Sequence, residues 1–190
     1  MKKLTKINQF NQTPCNTKSF HFYSQITSSK KKQNYNSLNI HRDYLHRDYL
    51  HRDYLLDLLL ALDGVVQSAK YHPESDALYH SLQVFEWAYQ STNDIELWQA
   101  ALFHDVGKSV DSKYHSEFGA QMLSGIFSDR VIWIIKHHLD LMKNPRKTRQ
   151  KLLNSSLLSD LQKIRKWDLA GRDPNASVRD VDEVLDLVLY

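Results

Sequence analysis

Scarcity of helix breakers most narrows what this chain can become. Its 190 residues hold only 5 glycines and 4 prolines, too few for the closely spaced turns of an all-β fold and well suited to long helices. Hydrophobic residues make up 42% and charged residues 25%, enough apolar content for a packed core. The apolar spacing agrees. Residues Tyr54 to Lys70 read as an amphipathic helix with Leu55, Leu58, Leu59, Leu62 and Val66 on one face. Helices are expected at Ala77–Tyr89, Ile95–His104, Ser116–Ile126, Asp129–His138, about Leu157–Ala170 and Val178–Leu189, with Asp129 as a possible cap. No run alternates as a strand does, so the fold class is all-α, a helical bundle.

The first 38 residues are different. They are rich in Asn, Gln, Ser, Thr and Lys without a hydrophobic period, and the first forty contain no Asp or Glu. A disordered polar and basic tail over residues 1–38 is expected, followed by one helical domain over 39–190. A perfect tandem repeat, His-Arg-Asp-Tyr-Leu three times over residues 41–55, opens that domain. Its five-residue period matches neither helix nor strand. Short duplication of coding DNA explains it, so His41, His46 and His51 are not read as ligands.

Once the basic tail is set aside the rest is near neutral, so charge does not indicate nucleic-acid binding. The single cysteine, Cys15, excludes an intrachain disulfide and any all-thiolate metal site. The longest apolar stretch, Leu55 to Val66, is interrupted by Asp57 and Asp63 and is too short to span a bilayer. No secretory apolar run follows the basic start. The expectation is a soluble, cytoplasmic protein without a membrane partner; no sequence feature fixes its oligomeric state.

Polar residues recur where the helices are most apolar. His104 and Asp105 end the run Leu97, Trp98, Ala100, Ala101, Leu102, Phe103. His80 lies beside Leu82, Phe85 and Ala88, and His137-His138 follow Val131, Ile132, Trp133, Ile134 and Ile135. His115 opens another helix, and Asp168 follows Trp167. Burying such groups is costly unless they are paired or bind a metal. An imidazole beside a carboxylate suits a hard or borderline divalent ion. Any one of these residues alone reads equally well as a satisfied core histidine or a charge at a helix end. Together they point to metal, with one or both of His137 and His138 taking part. Glu74 and Asp76 read either as groups supporting the ligands from behind or as caps of the helix starting at Ala77, with caps the preferred reading. Arg146, Lys147, Arg149 and Lys151 could meet an anionic substrate but read better as a solvated basic face.

The order His80 … His104-Asp105 … His137-His138 … Asp168 resembles the signature of the HD-domain superfamily of metal-dependent phosphohydrolases. Ala101-Leu102-Phe103-His104-Asp105-Val106-Gly107-Lys108 carries most of the likeness, and His115 with Gly119 extends it. The resemblance covers about residues 65–175. His72-Pro73-Glu74-Ser75-Asp76 and Asp168-Leu169-Ala170-Gly171-Arg172 look similar to the HD domains appended to bacterial tRNA nucleotidyltransferases, here in a stand-alone form.

The resemblance implies that His80, His104, Asp105 and Asp168 hold a first divalent ion, with Asp105 bridging. It implies that His115 and His137, helped by His138, hold a second where one binds. The ion would be Mn, Mg, Co, Ni, Zn or Fe. Catalysis would fall to His104, Asp105 and Lys108, with Lys108 a point charge near the substrate phosphate. The implied activity is hydrolysis of a small-molecule phosphate ester or nucleotide by metal-activated water. Two other readings use the same residues: a di-iron oxygenase resembling inositol oxygenase, and a non-enzymatic sensor module that has kept the fold.

Overall fold

A computed structural model describes residues 51–190 of the chain. The tail expected over residues 1–38 and the first two repeat units, residues 41–50, lie outside the described residues. All regular structure among the described residues is helical. None of the helices is long and apolar enough to cross a membrane.

The third repeat unit is helical, within a helix described over residues 51–60, α1. Its period of five does not matter, because only Leu55 of the unit is fully buried, with Leu58 and Leu59 continuing the face. Arg52 pairs with Asp182 and Asp186 at 3.0 and 2.9 Å, tying this helix to the last one. The helix is shorter than its hydrophobic pattern suggests. Gly64 adopts φ +75, a left-handed conformation that turns the chain, and the Asp76 carboxylate accepts its N–H at 2.7 Å. Val66, expected on the buried face, is 82% exposed.

Asp76 also caps the next helix, α2 (Ala77–Ser91), by accepting from Tyr79 N. Asp94 does the same for α3 (Ile95–Phe103), whose Leu97, Ala100, Ala101, Leu102 and Phe103 are all buried. A 3₁₀ turn, Val106–Ser109, leads to α4 (His115–Leu123). The next helix, α5 (Asp129–His137), is capped by Ser128 rather than Asp129: the hydroxyl accepts from Val131 N while Asp129 sits in the first turn. Two short helices follow, α6 (Asp140–Lys143) and α7 (Pro145–Lys151). The basic side chains of α7 are exposed, in keeping with a solvated face.

Then come α8 (Ser156–Ala170) and α9 (Val181–Leu189). The apolar helix α3 lies at the centre, packed against α2, α5, α8 and α9. Phe85, Phe103, Leu97, Leu102, Ile134 and Ile164 are fully buried there. Arg130 on α5 knits the far side together by bonding Asp94, Glu96 and Asp160.

Candidate metal centre

The C-terminal end of α3 places His104 and Asp105 beside residues of α2, α4 and α8 and the end of α5. Both are buried, as are His80, His115 and His138. The two oxygens of Asp105 face different histidines. Oδ1 lies 3.2 Å from His115 Nε2 and 3.8 Å from His138 Nε2. Oδ2 lies 3.2 Å from His104 Nε2 and 3.9 Å from His80 Nε2. Asp168, from α8, brings Oδ1 to 3.2 Å from His80 Nε2. Two ligand groups result, His80-His104-Asp105 and Asp105-His115-His138, each compact enough to hold one ion and sharing Asp105.

The orientation of the imidazoles is the decisive feature. His80 Nδ1 bonds Gly171 O at 2.8 Å, His104 Nδ1 bonds Ala101 O at 2.8 Å, and His115 Nδ1 bonds Ser112 O at 2.8 Å. His138 Nδ1 bonds Ile135 O at 2.7 Å. A carbonyl oxygen only accepts, so each Nδ1 carries the proton and, in the neutral ring, each Nε2 presents a lone pair. All four lone pairs point at the carboxylates of Asp105 and Asp168. Lone pairs facing lone pairs in a buried space repel unless a positive charge, a metal ion or an added proton, sits among them. His80 Nε2 and His104 Nε2 are accordingly buried with no hydrogen-bond partner of acceptable geometry. Metal-ligating imidazoles are commonly oriented in this way, by an acceptor on the ring nitrogen away from the ion.

The electrostatics agree. Burial works against ionising Asp105, yet His104 and Lys108 beside it hold its pKa well below the usual carboxylate range. Burial likewise opposes ionisation of Asp168, and His80 overrides it downward. Burial opposes a charge on His80, but Asp168 and Glu74 carry its pKa up to about 9. The pocket therefore stabilises positive charge between its carboxylates. His138, pushed down to about 3 first by burial and then by neighbouring His104, is a neutral imidazole.

His137, the other member of the doublet, is set apart. One residue further round a helix is a turn of about 100°, and its Nδ1 bonds Asp140 Oδ2 at 2.9 Å while the ring stacks on Trp133. Lys108 lies 2.6 Å from Asp105 Oδ2 and also bonds Gln67. A cavity of about 590 Å³ opens beside it, lined among others by Val65, Tyr71, His72, Lys108, Met142 and Arg172. For Glu74 the preferred reading as a cap is corrected. Asp76 is the cap, whereas Glu74 is buried against His80 and His72. His72 enters the sequence reading only as part of the His72-Pro73-Glu74-Ser75-Asp76 motif and is given no role there, because one histidine in a polar turn beside a proline carries no periodic signal.

The fold is a helical domain centred on a buried His/Asp cluster whose groups could hold metal ions. The chain belongs to the HD domain family, which residues 77–183 match. It is 31% identical over 100 residues to the multifunctional CCA protein of Methylobacillus flagellatus, covering 44% of this chain and 24% of that protein. It is 46% identical over 56 residues to the multifunctional CCA protein of Herminiimonas arsenicoxydans, covering 30% of this chain and 14% of that protein. The chain thus spans about a quarter or less of the curated relatives it matches.

Proposed function

We propose that this chain is a metal-dependent phosphohydrolase acting on a small phosphate ester or nucleotide. The observation that carries the reading is the convergence of four Nε2 lone pairs on the shared carboxylate of Asp105. His80, His104, Asp105 and Asp168 would hold one divalent ion, and Asp105, His115 and His138 a second. A bound divalent ion supplies an acidified water and neutralises charge on a phosphoryl group.

The protein's own residues do the rest. Lys108 places an ammonium on the wall shared by the cluster and the cavity, where an anionic substrate must enter. Arg172 adds a second cation, held rigid by Asp168 Oδ1 at 3.0 Å, Asp168 O at 3.1 Å and Tyr71 O at 3.0 Å. Apolar side chains such as Val65 and Met142 line the same cavity, so an organic group can sit there while its phosphate faces the cations.

The test is elemental analysis of purified protein followed by a panel of p-nitrophenyl phosphate, bis-p-nitrophenyl phosphate, mononucleotides and 2′,3′-cyclic nucleotides. Bound divalent metal with turnover of at least one ester, both lost in Asp105→Ala, supports the reading. Two equivalents of iron with dioxygen consumption and no ester hydrolysis would favour the oxygenase. Protein that takes up no metal would leave a sensor module.

A further inference from the structure

We propose that Glu74 is a positioning residue for the metal centre, a buried carboxylate that holds His80 by its Nδ1 edge and sets how tightly an ion is bound. The inference rests on the metal-site reading above and adds to it a residue outside the ligand set.

Three features converge on this position. The Glu74 side chain is fully buried, and a carboxylate is the least economical group to bury without a task. Its Oε1 lies 2.9 Å from His80 Nδ1, beside the bond from that nitrogen to Gly171 O, and accepts the Nδ1–H of His72 at 2.8 Å. Its Oε2 is buried with no hydrogen-bond partner among the described residues. The next residue, Ser75, sits at φ 60, a left-handed conformation that a side chain with Cβ adopts at a cost. Strain, desolvation and an orphaned oxygen at two adjacent positions are compensated only if the carboxylate acts on its neighbours.

What it does to them follows from the geometry. The single Nδ1 proton of His80 faces Gly171 O and Glu74 Oε1 at once. That fixes the tautomer with Nε2 toward Asp105 and Asp168, and the negative charge behind the ring makes Nε2 a stronger electron donor. The His72 ring, clamped by the same oxygen, packs edge-on against His80 with centroids 4.9 Å apart and lines the cavity. Glu74 therefore also links the first ligand to the wall of the substrate cavity. The cluster His72-Glu74-His80 is not itself an ion site, because the Nδ1 atoms of both histidines are occupied as donors.

The experiment is a Co²⁺ titration of the metal-stripped full-length protein, read by calorimetry, for wild type, Glu74→Gln, Glu74→Met and Asp76→Ala, with thermal unfolding of each metal-free form. Glu74→Gln and Glu74→Met are expected to weaken Co²⁺ binding about 10- to 100-fold, the range for losing a group that supports a ligand. Their metal-free forms should unfold close to wild type, because His80 Nδ1 keeps Gly171 O as its acceptor and His72 is only partly buried, so neither histidine is left stranded. Asp76→Ala should show the reverse, a lower melting temperature with unchanged affinity. Unchanged affinity in both Glu74 variants overturns the inference while leaving the metal site standing. Weakened affinity accompanied by an equally destabilised metal-free fold overturns it in favour of a structural role. Absence of Co²⁺ binding in wild type overturns the site reading and this inference together.

Discussion

Gly107 and His115 approach so closely that no side chain can stand between them. A Cβ on Gly107 would fall 2.1 Å from the His115 carbonyl oxygen and 2.7 Å from Gly119 N. Both obstacles are backbone, so neither can swing aside. The 3₁₀ turn carrying Lys108 thereby packs directly on α4, which carries His115, and one glycine sets the spacing between Asp105 and the second histidine group. Gly107→Ala is expected to destabilise the fold by about 3 kcal/mol or more, the upper range for overpacking, and to displace His115. Chemical denaturation and metal stoichiometry together check it; a variant with wild-type stability would refute the packing argument.

Asp105→Asn isolates charge from shape. The amide fits the same space but cannot bridge two ions with two equivalent oxygens, and it leaves four lone pairs facing a neutral group. The loss of metal affinity should exceed the about 10- to 100-fold expected from losing a supporting hydrogen bond. Binding by the metal-stripped variant measures it directly. Retention of full metal content would remove Asp105 from the centre of the site.

The long helices, the apolar core and the residue types of the site were legible in the sequence because they depend on period and composition, whereas the short helices α6 and α7 around Pro145 carry no such period. His80, His104, Asp105, His115, His138 and Asp168 all lie at the cluster, since each is a polar residue on an apolar helix or at its end. What was illegible depends on rotation and on irregular backbone. The doublet His137-His138 cannot be split by pattern, because both follow the same apolar run. Whether Glu74 or Asp76 was the cap could not be decided in a turn whose left-handed Ser75 no propensity announces, and α1 stopped early because Gly64 took a positive φ.

The doublet gives its own prediction. His138→Ala should abolish occupancy of the second ion group, whereas His137→Ala should leave metal stoichiometry unchanged and remove only its stacking on Trp133 and the bond to Asp140. Stoichiometries from elemental analysis separate them. The converse pattern would mean that α5 is rotated relative to the arrangement described here.

Acid stability should depend on Arg130. Burial would raise the Asp94 pKa, but hydrogen bonds and charge from Arg130 lower it; Ser128 and then Arg130 lower that of Glu96. Both groups titrate lower when folded, so their stabilisation is present above their unfolded values near pH 4 and is lost as pH falls through the lowered folded ones. Arg130→Gln removes the pairing and also strands Asp160, which is buried. Partial exposure and salt screening limit the Asp94 and Glu96 pairs, so a loss of roughly 2 kcal/mol at pH 7 is expected. Denaturation curves between pH 7 and pH 3 should show the gap to wild type narrowing below about pH 4. A gap that widens with acid would reverse the assigned sign.

Ser75 offers the opposite kind of change. Its side chain is exposed, while its backbone N–H bonds His72 O at 3.0 Å and its carbonyl accepts from Gln67 N at 2.7 Å. Glycine keeps both bonds. A left-handed conformation disfavours a residue with Cβ by about 1–2 kcal/mol, and glycine's greater freedom in the unfolded chain takes back about 0.5–1 kcal/mol. Ser75→Gly should therefore stabilise the protein by roughly 0.5 kcal/mol, about a degree or two in melting temperature for a domain this size. Ser75→Val, β-branched and ill-suited to φ 60, should destabilise it. Co²⁺ affinity should be unchanged in Ser75→Gly, because the turn still delivers Glu74 to His80. A glycine variant that unfolds earlier than wild type would show that the turn is not under strain, and the backbone would then give no reason to single out Glu74.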